Sequence, residues 1–133
     1  MQPNTISLVV DEANSGSGQV THDFSRYEQI GNKSTYIGAL HSFASRDKID
    51  MFRTFPTRSG NYKGTQKSAV KFTKDLVVPG VDGVNITSPI IMEVSFSVPV
   101  GVSRASLVAF RQRVVSLLDV DSIMDDLNLK LMV

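Results

Sequence analysis

In separate stretches between Thr5 and Val98, above all Lys48–Phe55, Tyr62–Thr73 and Pro89–Val98, residues alternate in character with a period of two, and beyond Ser103 apolar residues fall at helical spacing. Thr5 to Val10 reads as a strand, Ser15-Gly16-Ser17-Gly18 as a turn, and Gln19 to Phe24 as the returning strand of a β-hairpin. Tyr27 to Leu40 carries a weaker signal, either one strand near Ser34–Ile37 or two short pieces. In Lys48 to Phe55, Ile49, Met51 and Phe55 share a face with Arg53, while Asp50, Phe52 and Thr54 share the other. Pro56 to Asn61 is punctuated as a turn. Tyr62 to Thr73 is the next expected strand, with Lys63, Thr65, Lys67, Ala69, Lys71 and Thr73 on one side and Val70 and Phe72 on the other. Lysines at intervals of four residues then lie roughly 13 Å apart along one face.

Leu76 to Ser88 mixes the turn formers Pro79-Gly80 and Asp82-Gly83 with Val77, Val78, Val81, Val84 and Ile86. It reads as an apolar loop, or as partly strand at each end. Pro89 to Val98 alternates most cleanly: Met92, Val94, Phe96 and Val98 on one face, Glu93, Ser95 and Ser97 on the other, with Ile91 the exception. Ser103 is positioned to cap a helix reaching about Leu118, with Leu107, Phe110, Val114, Leu117 and Leu118 as its apolar stripe. Asp119 or Asp121 is expected to cap a second short helix through about Leu127, with Ile123, Met124 and Leu127 apolar. Strands first and helices last predict an α+β domain with helices on one face of an antiparallel sheet.

Composition adds little to this picture, and charge adds more. The chain has 133 residues, 41% of them hydrophobic and 20% charged, with a net charge of +1. That suits one folded domain with a core. The positive charge is concentrated, however. Arg46 to Lys74 holds eight Lys and Arg against two acids, and Asp119 to Asp126 holds four Asp and no base. Such a division suits a protein that turns a basic surface to a polyanion, although a solvated basic strand and an acidic helix would look the same.

Much chemistry is absent from the pattern. No cysteine occurs, so thiolate chemistry and cysteine metal sites are excluded. His22 and His41 form no pair at ligand spacing, no serine sits in a nucleophile elbow, and Asp125-Asp126 diverge on a helix. Gly16-x-Gly18 lacks the third glycine and following helix of a phosphate loop. No catalytic residue, metal site or cofactor is expected. No apolar run approaches the roughly 20 residues of a membrane span, and the first ten residues lack the basic and apolar regions of a signal peptide. No membrane partner is expected.

Four segments, in order, resemble a known family. They are Phe55-Pro56-Thr57-Arg58-Ser59-Gly60-Asn61-Tyr62-Lys63, Glu93-Val94-Ser95-Phe96-Ser97-Val98, Ala109-Phe110-Arg111, and Leu117-Leu118 followed by Asp125-Asp126-Leu127-Asn128. Over about residues 48 to 130 the chain resembles the coat proteins of the small single-stranded RNA bacteriophages (leviviruses), above all the allolevivirus type. The first 45 residues match in layout only. The resemblance implies a single coat protein domain over 1–133, with an N-terminal hairpin (1–24), a five-stranded antiparallel sheet (33–98) and two helices used in dimerisation (103–128). It implies an interlocked homodimer in which the helices of one subunit cover the sheet of the other, and a virion shell of many dimers assembled in the bacterial host cytoplasm. The loop at about Leu76–Ser88 would surround the shell's symmetry axes.

The same resemblance implies that the sheet's other face meets single-stranded genomic RNA and, in the family, an operator hairpin whose binding represses translation. Asn61 and Lys63 fall on positions of that face, Thr65 and Lys67 continue it by alternation, and Lys71 follows from periodicity. Ile91 occupies the place of a tyrosine that stacks on a base, and Glu93 stands where the family has Asp or Asn. Isoleucine offers no π-face, so shell building and RNA packaging follow more directly than sequence-specific repression. Two other readings remain open: a small dimeric RNA-binding regulator that forms no shell, and an enzyme on an α+β sheet. For Lys63, Lys67 and Lys71 the plain alternative is an exposed strand face without a ligand.

Overall fold

The computed structural model describes residues 2–14 and 16–132; the turn residue Ser15 lies outside them. The chain divides into two units, Met1–Val98 and Pro99–Val133. The first is a single six-stranded sheet whose strands follow chain order: β1 (Thr5–Val10), β2 (Val20–Ile30), β3 (Lys33–Gly38), β4 (Asp47–Thr54), β5 (Thr65–Pro79) and β6 (Asn85–Pro99). The pairings from β1 through β5 are antiparallel. The expected architecture is present, but the sheet has six strands rather than a separate hairpin beside five. The reason is the length of β2. It runs past Phe24 to Ile30, so it pairs with β1 on one edge and β3 on the other. A bulge between Arg26 and Glu28 resets its alternation, and Gly31, at φ +53, makes the tight turn into β3.

The loop expected over Leu76–Ser88 is mostly strand. β5 continues to Pro79 and β6 starts at Asn85, so the turn shrinks to Gly80–Val84. The Gly80 N–H donates to the Val84 carbonyl (2.9 Å), and the Asp82 carboxylate accepts from the Val84 N–H (3.1 Å). β-branched Val77 and Val78 on one arm and Ile86 and Thr87 on the other favour extended backbone, which outweighs the turn formers except at the tip.

Register sorts the side chains onto two faces. Tyr36 pairs with Ile49 and Ile49 with Phe72; Ser34 pairs with Met51 and Met51 with Val70. This is the apolar face. Phe24, Tyr36 and Ile49 are buried there, and Ile6, Leu8, Met51 and Val70 pack against them. The Tyr36 hydroxyl donates to the Pro3 carbonyl (2.8 Å), and the Arg26 guanidinium donates to the carbonyls of Gln2 and Pro3. The residues ahead of β1 are thereby tied to the sheet. Three buried hydrophobic side chains are few for a sheet of this length, and Phe72 on the same face remains exposed.

The second unit contains α1 (Arg104–Leu118) and α2 (Asp121–Leu129), which pack on each other. Ser103 is the N-cap of α1, as expected, its hydroxyl accepting from the Ser106 N–H at 3.2 Å. The second cap differs from expectation. Val120 is the N-cap of α2 and provides no side-chain bond; Asp121 is the first helical residue, where its charge suits the helix dipole, and Asp119 ends α1. No residue of either helix is buried, and Phe110 is 63% exposed.

The turn between β4 and β5 depends on Gly64. Its φ is +97, and a Cβ there would lie 2.6 Å from the Thr57 carbonyl oxygen. Backbone cannot yield as a side-chain tip can. Gly64→Ala is therefore expected to destabilise the fold by about 2 kcal/mol or more, read as a lowered denaturation midpoint with an unchanged slope.

Candidate nucleic-acid interface

The second face of the sheet is polar. Lys33 pairs with Phe52 and Phe52 with Ala69; Thr35 pairs with Asp50 and Asp50 with Lys71; Ile37 pairs with Lys48 and Lys48 with Thr73; Thr54 pairs with Lys67. Residues directly opposite share a face, so Lys33, Lys48, Lys67 and Lys71 lie on one face, with Lys33, Lys48 and Lys71 around Asp50 and Lys67 farther along β5 opposite Thr54. Asp50 is only 3% exposed. Its carboxylate accepts a hydrogen bond from the Thr35 hydroxyl (2.7 Å) and pairs with Lys48 (3.0 Å) and Lys33 (3.4 Å). Burial alone would raise its pKa. The Thr35 hydroxyl and the Lys48 and Lys33 ammonium groups outweigh that, so the carboxyl sits below the ordinary Asp value. Asp50 thus holds two lysines in place and neutralises part of their charge.

The basic segment does not form one surface. Alternation sends Lys48, Lys67 and Lys71 to the polar face, while Arg53 opposite Ser68 and Lys74 opposite Asp47 go to the apolar one. Arg46 is taken up by a forked contact to Asp75, with Nε at 3.1 Å and Nη2 at 3.0 Å. That guanidinium, together with the Arg46 N–H, lowers the Asp75 pKa, and Asp75 in turn raises that of Arg46. Arg53 lies 5.0 Å from the Phe55 ring centre. Lys33 joins the polar face although it belongs to a different part of the sequence; only the β3–β4 register reveals this.

The sequence-derived residues fall unevenly. Thr65, Lys67 and Lys71 lie on one side of β5, as alternation predicts. Asn61 and Lys63 do not lie on a strand. Ser59 and Tyr62 exchange backbone hydrogen bonds (3.0 Å each), closing a tight turn, and Gly64 breaks the alternation before β5 starts at Thr65. Both residues are exposed beside the polar strand rather than in register with it. Ile91 (51% exposed) and Glu93 lie at alternate, exposed positions of β6, and Glu93 accepts a 3.4 Å hydrogen bond from Ser95. A depression of about 210 Å³ is lined by Phe52 and Thr54 of β4, Lys67 and Ala69 of β5, and Ser95 and Ser97 of β6. Among the described residues no group of three or more His, Cys, Asp or Glu could hold a metal ion. His22 contacts Glu12, and His41 Nδ1 accepts from the Asp47 N–H (3.0 Å), so the two histidines have separate local partners. No helix among the described residues is long and apolar enough to cross a membrane.

No protein-family model and no curated protein matches the chain. Solved structures do. The subunit of the virus-like particle of bacteriophage AVE019 superposes with a TM-score of 0.74 at 19% identity, over 96% of this chain and 95% of that one. The subunit from Wenzhou levi-like virus 4 gives 0.71 at 21% identity, over 81% and 75%. That of bacteriophage ESE058 gives 0.71 at 10% identity, over 100% and 99%. The fold of this chain is the one found in the shell subunits of levi-like RNA phages.

Proposed function

We propose that this chain is the coat protein of a single-stranded RNA bacteriophage: a structural subunit that dimerises, builds an icosahedral shell in the bacterial host cytoplasm and packages genomic RNA. The observation that carries the reading is end-to-end likeness, over 96% and 95% of the two chains, to a protein solved as a virus-like particle. The role is structural and calls for no catalytic residue, metal or cofactor.

Dimerisation is supported by what each unit lacks. The helical unit from Pro99 to Val133 is below the roughly 40 residues at which a segment sustains its own core, and it has no cysteine to staple it. Most of its apolar side chains are exposed, among them Phe110, Leu117, Leu118 and Ile123. The apolar face of the sheet buries only Phe24, Tyr36 and Ile49. In an interlocked homodimer the helices of one subunit meet the sheet of its partner, and 1–133 becomes one domain with a shared core.

RNA packaging is supported by the lysine-rich polar face. Lys67 and Lys71 meet phosphate there, with Asn61, Lys63 and Thr65 at its border and Ile91 and Glu93 on β6. Counting regular antiparallel pairs back from the Gly80–Val84 turn would set Glu93 opposite Lys71, where its carboxylate weakens phosphate contact. Repression through an operator hairpin is the narrower part of the reading, because Ile91 cannot stack on a base as an aromatic does.

Binding of single-stranded RNA to the full chain should therefore be mostly electrostatic. Lys67→Gln is expected to weaken binding of all sequences alike and to reduce the slope of log affinity against log salt by about 0.7 for each phosphate the side chain no longer neutralises. Titrations at several salt concentrations check this. An unchanged slope would remove Lys67 from the interface.

A further inference from the structure

We infer that Phe52 is a base-stacking platform on the polar face, supplying to single-stranded RNA the π-surface that Ile91 does not. The inference rests on the RNA-binding reading and extends it to a residue and a contact type. Phe52 is an aromatic on the lysine-rich face, which it shares with the smaller apolar residues Ile37 and Ala69, and it is 37% exposed. Its cross-strand neighbours are Lys33 on β3 and Ala69 on β5. Ala69 is small and leaves room above the sheet, while Lys67 and Lys71 lie two residues to either side of it. Phe52 also lines the 210 Å³ depression shared with Thr54, Lys67, Ser95 and Ser97. That volume is smaller than the roughly 300–1,000 Å³ of small-molecule pockets, and it suits one planar base. The hydroxyls of Thr54, Ser95 and Ser97 can donate to or accept from a base edge.

Lys33 completes the arrangement. Its ammonium lies 5.3 Å from the Phe52 ring centre and 3.4 Å from the Asp50 carboxylate, and the side chain is 43% exposed. A long, half-exposed lysine held by a cation–π contact and one ion pair can move aside. A base that takes its place over the ring leaves the ammonium beside the base's own phosphate. Aromatic and cation then act together, as in non-specific single-strand binding sites.

The test uses the purified full chain, kept dilute and unassembled, with a short fluorescent single-stranded RNA and with the same strand made abasic. Phe52→Leu keeps an apolar side chain of similar size and removes the ring; Phe52→Tyr restores the ring. The leucine variant should bind the intact strand roughly fivefold to a hundredfold more weakly, with an unchanged salt slope. On the abasic strand it should equal the parent protein, and the tyrosine variant should bind the intact strand like the parent. Equal affinity of the parent and the leucine variant for the intact strand overturns the stacking role and leaves the phosphate contacts standing. Equal weakening on both strands also overturns it, because the effect is then not on a base. If the parent binds neither strand at low salt, the RNA-binding reading fails and takes this inference with it.

Discussion

Phe110→Ala is expected to leave the chain unable to form the proposed dimer and to abolish particle formation. Phe110 lies in the middle of α1, between Leu107 and Val114 on the same stripe, yet it is 63% exposed. An exposed aromatic in a stripe of apolar residues marks a surface that another surface covers. In the proposed dimer that cover is the partner's sheet. Truncating a well-packed Phe costs about 3 kcal/mol or more, and two-fold symmetry makes each substitution count twice. Roughly 6 kcal/mol is a weakening of more than about 10⁴-fold. Sedimentation velocity reads the result as loss of the dimer, whereas Gln112→Ala on the same helix should leave association as it was. A Phe110→Ala chain that sediments like the parent would place the dimer seam elsewhere.

Asp50→Ala should destabilise the fold and, in chains that remain folded, tighten RNA binding. Both effects come from one carboxylate. Its removal strips the acceptor from the buried Thr35 hydroxyl and the counter-charge from Lys48 and Lys33. A buried donor left unsatisfied costs about 1–3 kcal/mol, and removing the paired charge adds to it, so about 2–4 kcal/mol is expected. Meanwhile the polar face gains positive charge, which raises its affinity for any phosphate backbone. The pH dependence has a definite sign. The Asp50 carboxyl is lowered from its ordinary value in the folded chain, so the unfolded chain takes up its proton first as pH falls. Its contribution is fully present above about pH 5 and is lost as pH drops through the folded-state pKa, below the ordinary value of 3.8. Denaturation midpoints at neutral and acid pH check this, and the Asp50→Ala chain should show less acid sensitivity than the parent.

Where alternation continues without interruption, the sequence predicts the structure well. The Thr65–Lys67–Lys71 side of β5 and the Met92–Val94–Phe96–Val98 stripe of β6 lie on strands as read, although Met92 is 57% exposed, and Ser103 caps α1. Local backbone geometry hid the rest. The bulge at Tyr27 offsets the alternation of β2, and the two-residue turn at Gly31-Asn32 contains no hydrophobic break, so one long strand and its neighbour read as a weak patch. Lys63 looks like a strand residue only if Gly64 is read as extended; its positive φ says otherwise, and Asn61 lies in the turn as read. Asp119 and Asp121 both have a capping side chain, and the backbone turns at Val120 between them.

The polar face shows a different limit. Charge counted along the chain joins Arg46, Lys48, Arg53, Lys67, Lys71 and Lys74 into one basic segment. Pairing separates them: Arg46 goes to Asp75, Lys48 to Asp50, and Arg53 and Lys74 to the opposite face. Lys33 and Phe52 were not legible as members of the site because membership depends on register between β3, β4 and β5. Single-residue periodicity gives the side of a strand but not which neighbour stands beside it.

Electron microscopy of the purified full chain, taken with its ultraviolet absorbance at 260 and 280 nm, tests the coat-protein reading most directly. Closed shells of uniform size, with the absorbance ratio of a nucleoprotein, are the expected result. Dimers without shells across a range of protein and salt concentrations would contradict it, and would favour a small RNA-binding regulator on the same fold.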